Sequence, residues 1–218
     1  MKNGRSASVD VPGGSISVLV NGESSDVVVL APGAGADMRH EYMDFFARGL
    51  AERGLEVVRF NFLYAEAGRK SPDRQPVLED TYRALVDHVR QSRPDRLFIG
   101  GKSMGGRIAS HIAASGAECD GLVFLGYPLH PPGKPERMRD EHLTRTSAPM
   151  LFVEGTRDPF CPLDTLDAVI SKRGLDATVH VVTGGDHSHK VRKSSGRTTE
   201  QAWAEAVEAI AEWIDKAR

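Results

Sequence analysis

The stretch Leu97-Phe98-Ile99-Gly100-Gly101-Lys102-Ser103-Met104-Gly105-Gly106-Arg107-Ile108-Ala109-Ser110 decides the fold. Its first residues form an apolar run of the kind buried on both faces of a sheet. From Arg107 onward, small and apolar residues suit a helix. Between them, Gly101-Lys102-Ser103-Met104-Gly105 fits G-x-S-x-G, a pattern that gains meaning when it joins a strand to a helix. Glycines let the chain turn sharply without Cβ clashes and hold the serine oxygen out past the strand's carboxyl end. The Met104 N–H then opens the helix and points to where an oxyanion would form.

Two phosphate-binding readings compete and fail on spacing. Gly101-Lys102-Ser103 resembles the end of a P-loop, but the glycine that motif needs five residues earlier is Arg96. The residues between are strand-like, not a loop that cradles phosphate. Gly33-Ala34-Gly35 resembles the start of a dinucleotide fingerprint, but the third glycine position holds Met38. No acidic residue closes the following apolar run, Val57-Val58-Arg59-Phe60-Asn61, either.

The chain has 218 residues, enough for one domain over 1–218 with a substantial core. Net charge is -2, so no nucleic-acid partner is expected. Two cysteines, Cys119 and Cys161, cannot build a disulfide framework and read as small buried hydrophobes in a reducing compartment. The amino-terminal Met1-Lys2-Asn3-Gly4-Arg5-Ser6 has no apolar signal region, and no run is long and apolar enough for a bilayer. A cytoplasmic protein without a membrane partner is expected; a homodimer is left open.

Apolar runs alternate with amphipathic segments, which predicts an α/β fold. It takes the form of a mostly parallel, doubly wound sheet of about seven strands flanked by helices. The strands are expected at Ile16–Val20, Val27–Ala31, Glu56–Phe60, Arg96–Gly100, Gly121–Leu125, Met150–Glu154 and Thr178–Val182. Helices are expected at His40–Arg53, Val77–Gln91, Met104–Ser115, Leu163–Arg173 and Thr199–Lys216. Asn21-Gly22 reads as a hairpin turn that pairs the first two of these strands antiparallel. Residues 63–76 read as a Pro/Arg-rich loop. No lid domain fits between Leu125 and Met150, so the site should be open.

In such a sheet, reactive groups collect past the carboxyl ends of strands. Four such places carry complementary chemistry: Pro32-Gly33-Ala34-Gly35-Ala36, Ser103, Gly155-Thr156-Arg157-Asp158-Pro159 and Gly184-Gly185-Asp186-His187-Ser188-His189. A serine hydroxyl needs an imidazole to take its proton as it attacks, and that imidazole needs a carboxylate behind it. His187 is the expected base, directly after the glycine turn, with His189 as the alternative. Asp158 is the expected orienting carboxylate, and Asp186 a turn residue. The Ala34 N–H is a second oxyanion donor, with Gly35 allowing close approach. No third ligand accompanies the His187/His189 pair, so neither a metal nor any other cofactor is expected.

The whole set resembles an α/β-hydrolase, and within that superfamily the small lidless hydrolases related to dienelactone hydrolase. The matching residues are Ala31-Pro32-Gly33-Ala34-Gly35-Ala36, Arg59-Phe60-Asn61-Phe62, Gly101–Gly106, Gly126–Pro132, Gly155–Asp158 and Gly184–Ser188. The resemblance implies a serine hydrolase with Ser103, Asp158 and His187 as its triad, acting on a small ester or thioester through an acyl-serine. Dienelactone hydrolases use a cysteine nucleophile, so their substrate does not carry over. Lys102 is unusual beside a lipase nucleophile; it either faces the ligand and favours anions or points to solvent. Gly35, Tyr64, Lys102 and Tyr127 are the expected substrate contacts, with Arg69, Arg74 and His130 bordering the site. A non-catalytic binding or scaffold protein, and a peptidase or acyltransferase with the same triad, are the alternatives.

Overall fold

The computed structural model describes residues 4–217; the first three residues of the amino-terminal segment lie outside them. Its sheet has eight strands: β1 (Arg5–Val11), β2 (Gly14–Asn21), β3 (Asp26–Ala31), β4 (Glu56–Phe60), β5 (Arg96–Lys102), β6 (Gly121–Leu125), β7 (Met150–Gly155) and β8 (Ala177–Val182). They lie in the order β1-β2-β4-β3-β5-β6-β7-β8. From β4 to β8 every neighbouring pair is parallel.

The additional strand is β1, an edge strand with an exposed face. Its Arg5-Ser6-Ala7-Ser8 start carries no apolar run, because an edge strand half in water needs none. The hairpin lies between β1 and β2, with Val11 opposite Gly14, and not around Asn21-Gly22. The predicted antiparallel pair of β2 with β3 does not form: β2 pairs antiparallel with β4, which separates it from β3. Asn21 is nearly buried, and its side-chain oxygen accepts from Arg59 Nη2 at 2.7 Å. The Asn-Gly pair therefore serves packing against β4 and not a tight turn.

Six helices cover the sheet: α1 (Glu41–Ala51), α2 (Leu63–Glu66), α3 (Gln75–Arg90), α4 (Met104–Ala114), α5 (Leu163–Arg173) and α6 (Thr199–Lys216). The short α2 lies inside the segment read as a loop. Leu78, Tyr82, Leu85 and Val86 of α3, Ile108 and Ile112 of α4, and Leu166 of α5 pack on one face of the sheet. Met43, Phe46 and Leu50 of α1 meet Trp203, Val207, Ile210 and Ile214 of α6 on the other. The α6 stripe is thus core, as its helical spacing requires. Thr198 and Gln201 form a capping box at the start of α6, and Gly174 closes α5 in the left-handed conformation.

From β3 the chain runs through α1 to β4 on one side, then returns across β3 to β5 on the other. The strand order reverses there, opening a crevice beyond the carboxyl ends of β3 and β5. Ala34 and Ser103 come from those two strand ends.

Candidate active site

The turn from β5 into α4 is forced by close packing. A Cβ on Gly101 would lie 2.3 Å from the Ala31 carbonyl oxygen, and one on Gly105 would lie 2.4 Å from it. Neither position admits a side chain, so the helix can start directly on top of β3. Ser103 is held at φ 50, ψ -112 as the residue before α4. For a non-glycine residue this costs about 1–3 kcal/mol and persists only where the surroundings dictate it. Here they do: Ser103 N donates to the Leu125 carbonyl at 3.1 Å, and Arg107 N donates to the Ser103 carbonyl at 3.0 Å.

Two further loops deliver a carboxylate and an imidazole. The loop after β7 carries Asp158 and the loop after β8 carries His187, and the two are stapled together. Arg157 N donates to the Gly185 carbonyl at 2.8 Å, Arg157 Nη1 to the Gly184 carbonyl at 2.9 Å, and Gly184 N to Thr156 Oγ1 at 2.9 Å. Asp158 has a fully buried side chain. Its Oδ1 accepts from Phe160 N at 2.8 Å, and its Oδ2 lies 2.6 Å from His187 Nδ1. His187 Nε2 lies 2.8 Å from Ser103 Oγ. A carboxylate can only accept, so Nδ1 carries the imidazole proton and Nε2 faces the serine hydroxyl as acceptor. The Phe160 ring meets His187 edge-on at 4.7 Å, which further fixes the imidazole.

The neighbours in the His187 loop have other work. Asp186 Oδ1 accepts from Ser188 N at 2.8 Å and Lys190 N at 3.0 Å, holding the turn. His189, the alternative base, is buried and turned away from Ser103. Its Nδ1 pairs with Tyr42 Oη at 2.7 Å and its Nε2 with the Val153 carbonyl at 3.0 Å. Burial, and then the Lys102 ammonium, push its pKa down to about 3. It is a neutral strut between α1 and β7.

Beyond β3, Ala34 lines the same cavity as Ser103. Among the described residues, neither the Ala34 N–H nor the Met104 N–H has a backbone or side-chain acceptor. Tyr64 fixes the Ala34 loop from below: its hydroxyl donates to the Gly33 carbonyl at 3.4 Å and accepts from Gly35 N at 3.2 Å. Tyr64 and Gly35 therefore shape the loop and do not line the cavity, which corrects their expected place as substrate contacts.

The cavity at Ser103 has a volume of about 310 Å³. Leu78, Met104, Pro128, Pro132 and Phe160 give it apolar walls, and Asp73, Gln75, Arg107, His130 and Arg139 give it polar ones. Tyr127 is also absent from these walls. It is fully buried, with its hydroxyl among Ser110 and His142 at 3.1 and 3.2 Å. Arg69 and Arg74 lie outside them as well, whereas their loop neighbours Asp73 and Gln75 reach in.

Lys102 neither faces the cavity nor reaches solvent. It is 9% exposed, and its ammonium is buried with no hydrogen-bond partner among the described residues. It lies 5.9 Å from the Tyr42 ring centre. A Cβ on Gly126 would be 3.1 Å from Lys102 Nζ and 3.3 Å from His187 Nδ1, so the lysine lies behind the imidazole. Burial pulls its pKa down to about 8, against the opposing pull of Asp158, Glu154 and Asp186.

Sequence reasoning missed Arg107, Arg139 and Phe160. Arg107 had a readable signal, since a residue four places beyond Ser103 lies one helical turn on from it. Arg139 and Phe160 had none, because irregular loops place them.

Comparison with known proteins agrees with this geometry at the level of the fold. The family described as "Alpha/beta hydrolase domain" matches residues 24–215. The chain belongs to this α/β-hydrolase family. An α/β serine hydrolase homologue from Coxiella burnetii is 20% identical, with a TM-score of 0.76 over 97% of this chain and 98% of that one. A serine hydrolase without a lid from Xanthomonas campestris is 20% identical, with a TM-score of 0.75 over 98% and 96%. A dienelactone hydrolase from Anabaena variabilis is 17% identical, with a TM-score of 0.75 over 98% and 97%. At these identities the α/β-hydrolases share the fold with this chain. No helix among its described residues is long and apolar enough to cross a membrane.

Proposed function

We propose that this α/β-hydrolase is a serine hydrolase that cleaves small esters or thioesters through an acyl-Ser103 intermediate. The observation that carries the reading is the chain of contacts Asp158–His187–Ser103, at 2.6 and 2.8 Å, ending beside a cavity. Ser103 Oγ attacks the acyl carbon while His187 Nε2 takes its proton. The negative oxygen of the tetrahedral intermediate is met by the Ala34 and Met104 N–H groups, each worth about 3 kcal/mol of barrier lowering. Asp158 holds the imidazole in the needed tautomer and balances its transient charge. His187 then protonates the departing alkoxide or thiolate. In the second half it takes a proton from water, whose oxygen attacks the acyl-serine, and returns that proton to Ser103 as the acid leaves.

A fluorophosphonate probe should add one covalent adduct to the folded protein, localised to Ser103, and none to Ser103→Ala. Intact-mass spectra without an adduct on the folded wild type, or with the same adduct on Ser103→Ala, would overturn the reading.

A further inference from the structure

Two arginines line the Ser103 cavity without an ion-pair partner among the described residues. Other buried or half-buried arginines have partners: Arg59 meets Asp44 at 3.2 Å, Arg96 meets Asp26 at 2.5 Å and Arg173 meets Asp140 at 2.8 Å, while Arg83 donates to the Ile112 carbonyl at 3.2 Å. Arg107 and Arg139 have no carboxylate within 4.0 Å among the described residues. Arg107 is half-buried on α4. Its Nη1 donates to Gln75 Oε1 at 2.9 Å, while its Nε is buried and finds no acceptor. Arg139, also half-buried, comes from the irregular segment after β6, and only its backbone is hydrogen-bonded.

Both guanidiniums line the same cavity. Burial lowers the pKa of both; Arg107 lowers that of Arg139 further, whereas Tyr127 and Glu79 pull that of Arg107 back up. Desolvated like charges without a counter-ion are unfavourable in the empty protein. Residues that break a local rule in this way concentrate at functional positions. Lys102 does not serve there, since it lies behind the imidazole and away from the cavity.

We propose that Arg107 and Arg139 form a carboxylate-binding subsite, and that the preferred substrates are small esters or thioesters bearing a free carboxylate on the arm that enters the cavity. Hemiesters of short dicarboxylic acids have this chemistry. The inference rests on the reading of Ser103 as nucleophile. A planar carboxylate matches the guanidinium fork, and such charge-assisted pairs are the strong ones. Asp73, the aspartate on the same wall, is already paired with Arg69 at 2.7 Å, which leaves the two arginines for the ligand's carboxylate. Leu78, Pro132 and Phe160 suit the methylenes between the carboxylate and the ester, and about 310 Å³ limits that arm to a short one.

The test compares kcat/KM for 4-nitrophenyl hemisuccinate with that for its neutral methyl ester. The wild type should prefer the hemisuccinate by about tenfold or more, the scale of one charge-assisted contact. In Arg107→Gln/Arg139→Gln the preference should fall towards unity, and Arg139→Gln alone, at the more peripheral position, should lower it if the double variant misfolds. Equal rates in the wild type, a preference that survives both variants, or a phosphate-bearing ester cleaved better than the carboxylate would overturn the proposal. Calorimetry with monomethyl glutarate on Ser103→Ala separates the two readings. Hydrolysis of neither ester with arginine-dependent binding of monomethyl glutarate removes the hydrolase reading and keeps the subsite. Absence of that binding removes the subsite whatever the activity.

Discussion

Helix α4 carries two serine–imidazole contacts of the same length. Ser103 Oγ lies 2.8 Å from His187 Nε2, and Ser110 Oγ lies 2.8 Å from His142 Nε2. Distance alone does not distinguish them; everything around them does. Ser103 sits at a strained strand-to-helix turn on the wall of a cavity, and its imidazole is backed by a buried carboxylate. Ser110 is fully buried inside the helix, and its hydroxyl donates to the Arg107 carbonyl at 2.7 Å. A hydroxyl has one proton, so His142 must be the donor in the second contact. Burial and the stacked His111 push the His142 pKa down to about 3, which keeps it neutral. One pair has the arrangement that the proposed proton transfer needs; the other spends its hydrogen bonds on satisfying a buried polar cluster of Ser110, Tyr127 and His142.

The largest effect should come from removing the carboxylate that separates the pairs. In Asp158→Asn the amide would offer an N–H where His187 Nδ1 needs an acceptor, favouring the wrong tautomer. The expected loss in kcat is about 10²–10⁴-fold, with the protein still folded, measured on a neutral 4-nitrophenyl ester. A loss below threefold in a folded variant would mean that the carboxylate does not distinguish Ser103 from Ser110.

The smaller, pH-dependent effect lies at Lys102. Tyr42 from α1, Glu154 from β7, Asp158, Asp186, His187 and His189 surround its ammonium, and no hydrogen bond satisfies it. Its folded pKa of about 8 lies below the ordinary lysine value of 10.5. Below pH ~8 both folded and unfolded chains hold the proton, and the cost of the buried charge is constant. Between pH ~8 and ~10.5 the unfolded chain binds more protons, so this residue makes wild-type stability rise with pH. Lys102→Met should therefore be more stable than wild type at pH 7, by up to about 3 kcal/mol, with the gain shrinking towards pH 10. Urea titrations at both pH values read this directly. A gain that grows with pH would show that Lys102 is paired in a way the geometry does not show.

The contrast between the two pairs also marks what a sequence can reveal. Ser103, Asp158 and His187 were readable because each follows a strand, and strand ends in an α/β sheet converge on one edge. The apolar runs gave β2 to β8, while β1 escaped because its edge position removes the pattern. Asn21-Gly22 misled because an Asn-Gly pair also serves where asparagine packs against a buried arginine, here Arg59. Lys102, Tyr64 and Tyr127 lie at or just after strand ends as expected, but none of them lines the Ser103 cavity. Whether a side chain at a strand end turns towards the cavity or behind it depends on the neighbouring strands and helices, which local sequence does not encode. The Ser110–His142 contact joins a helix to a 3₁₀ turn, Glu141–Arg145, across 32 residues, and no motif announces it.

Ser110→Ala is the sharpest control for the comparison, and its expected effect is the smallest. The substitution removes the acceptor for His142 Nε2 and one neighbour of Tyr127 Oη, but leaves those two in contact at 3.2 Å. It also suits the helix, since alanine has the higher propensity. A buried donor left partly unsatisfied costs about 1–3 kcal/mol, and the remaining contact and the helix gain place this case at about 1 kcal/mol. Thermal unfolding should show that loss, with fluorophosphonate labelling of Ser103 intact. Ser110→Ala that folds but no longer labels at Ser103 would break the distinction, because the buried cluster would then be holding α4, and with it the Ser103 turn, in its reactive position.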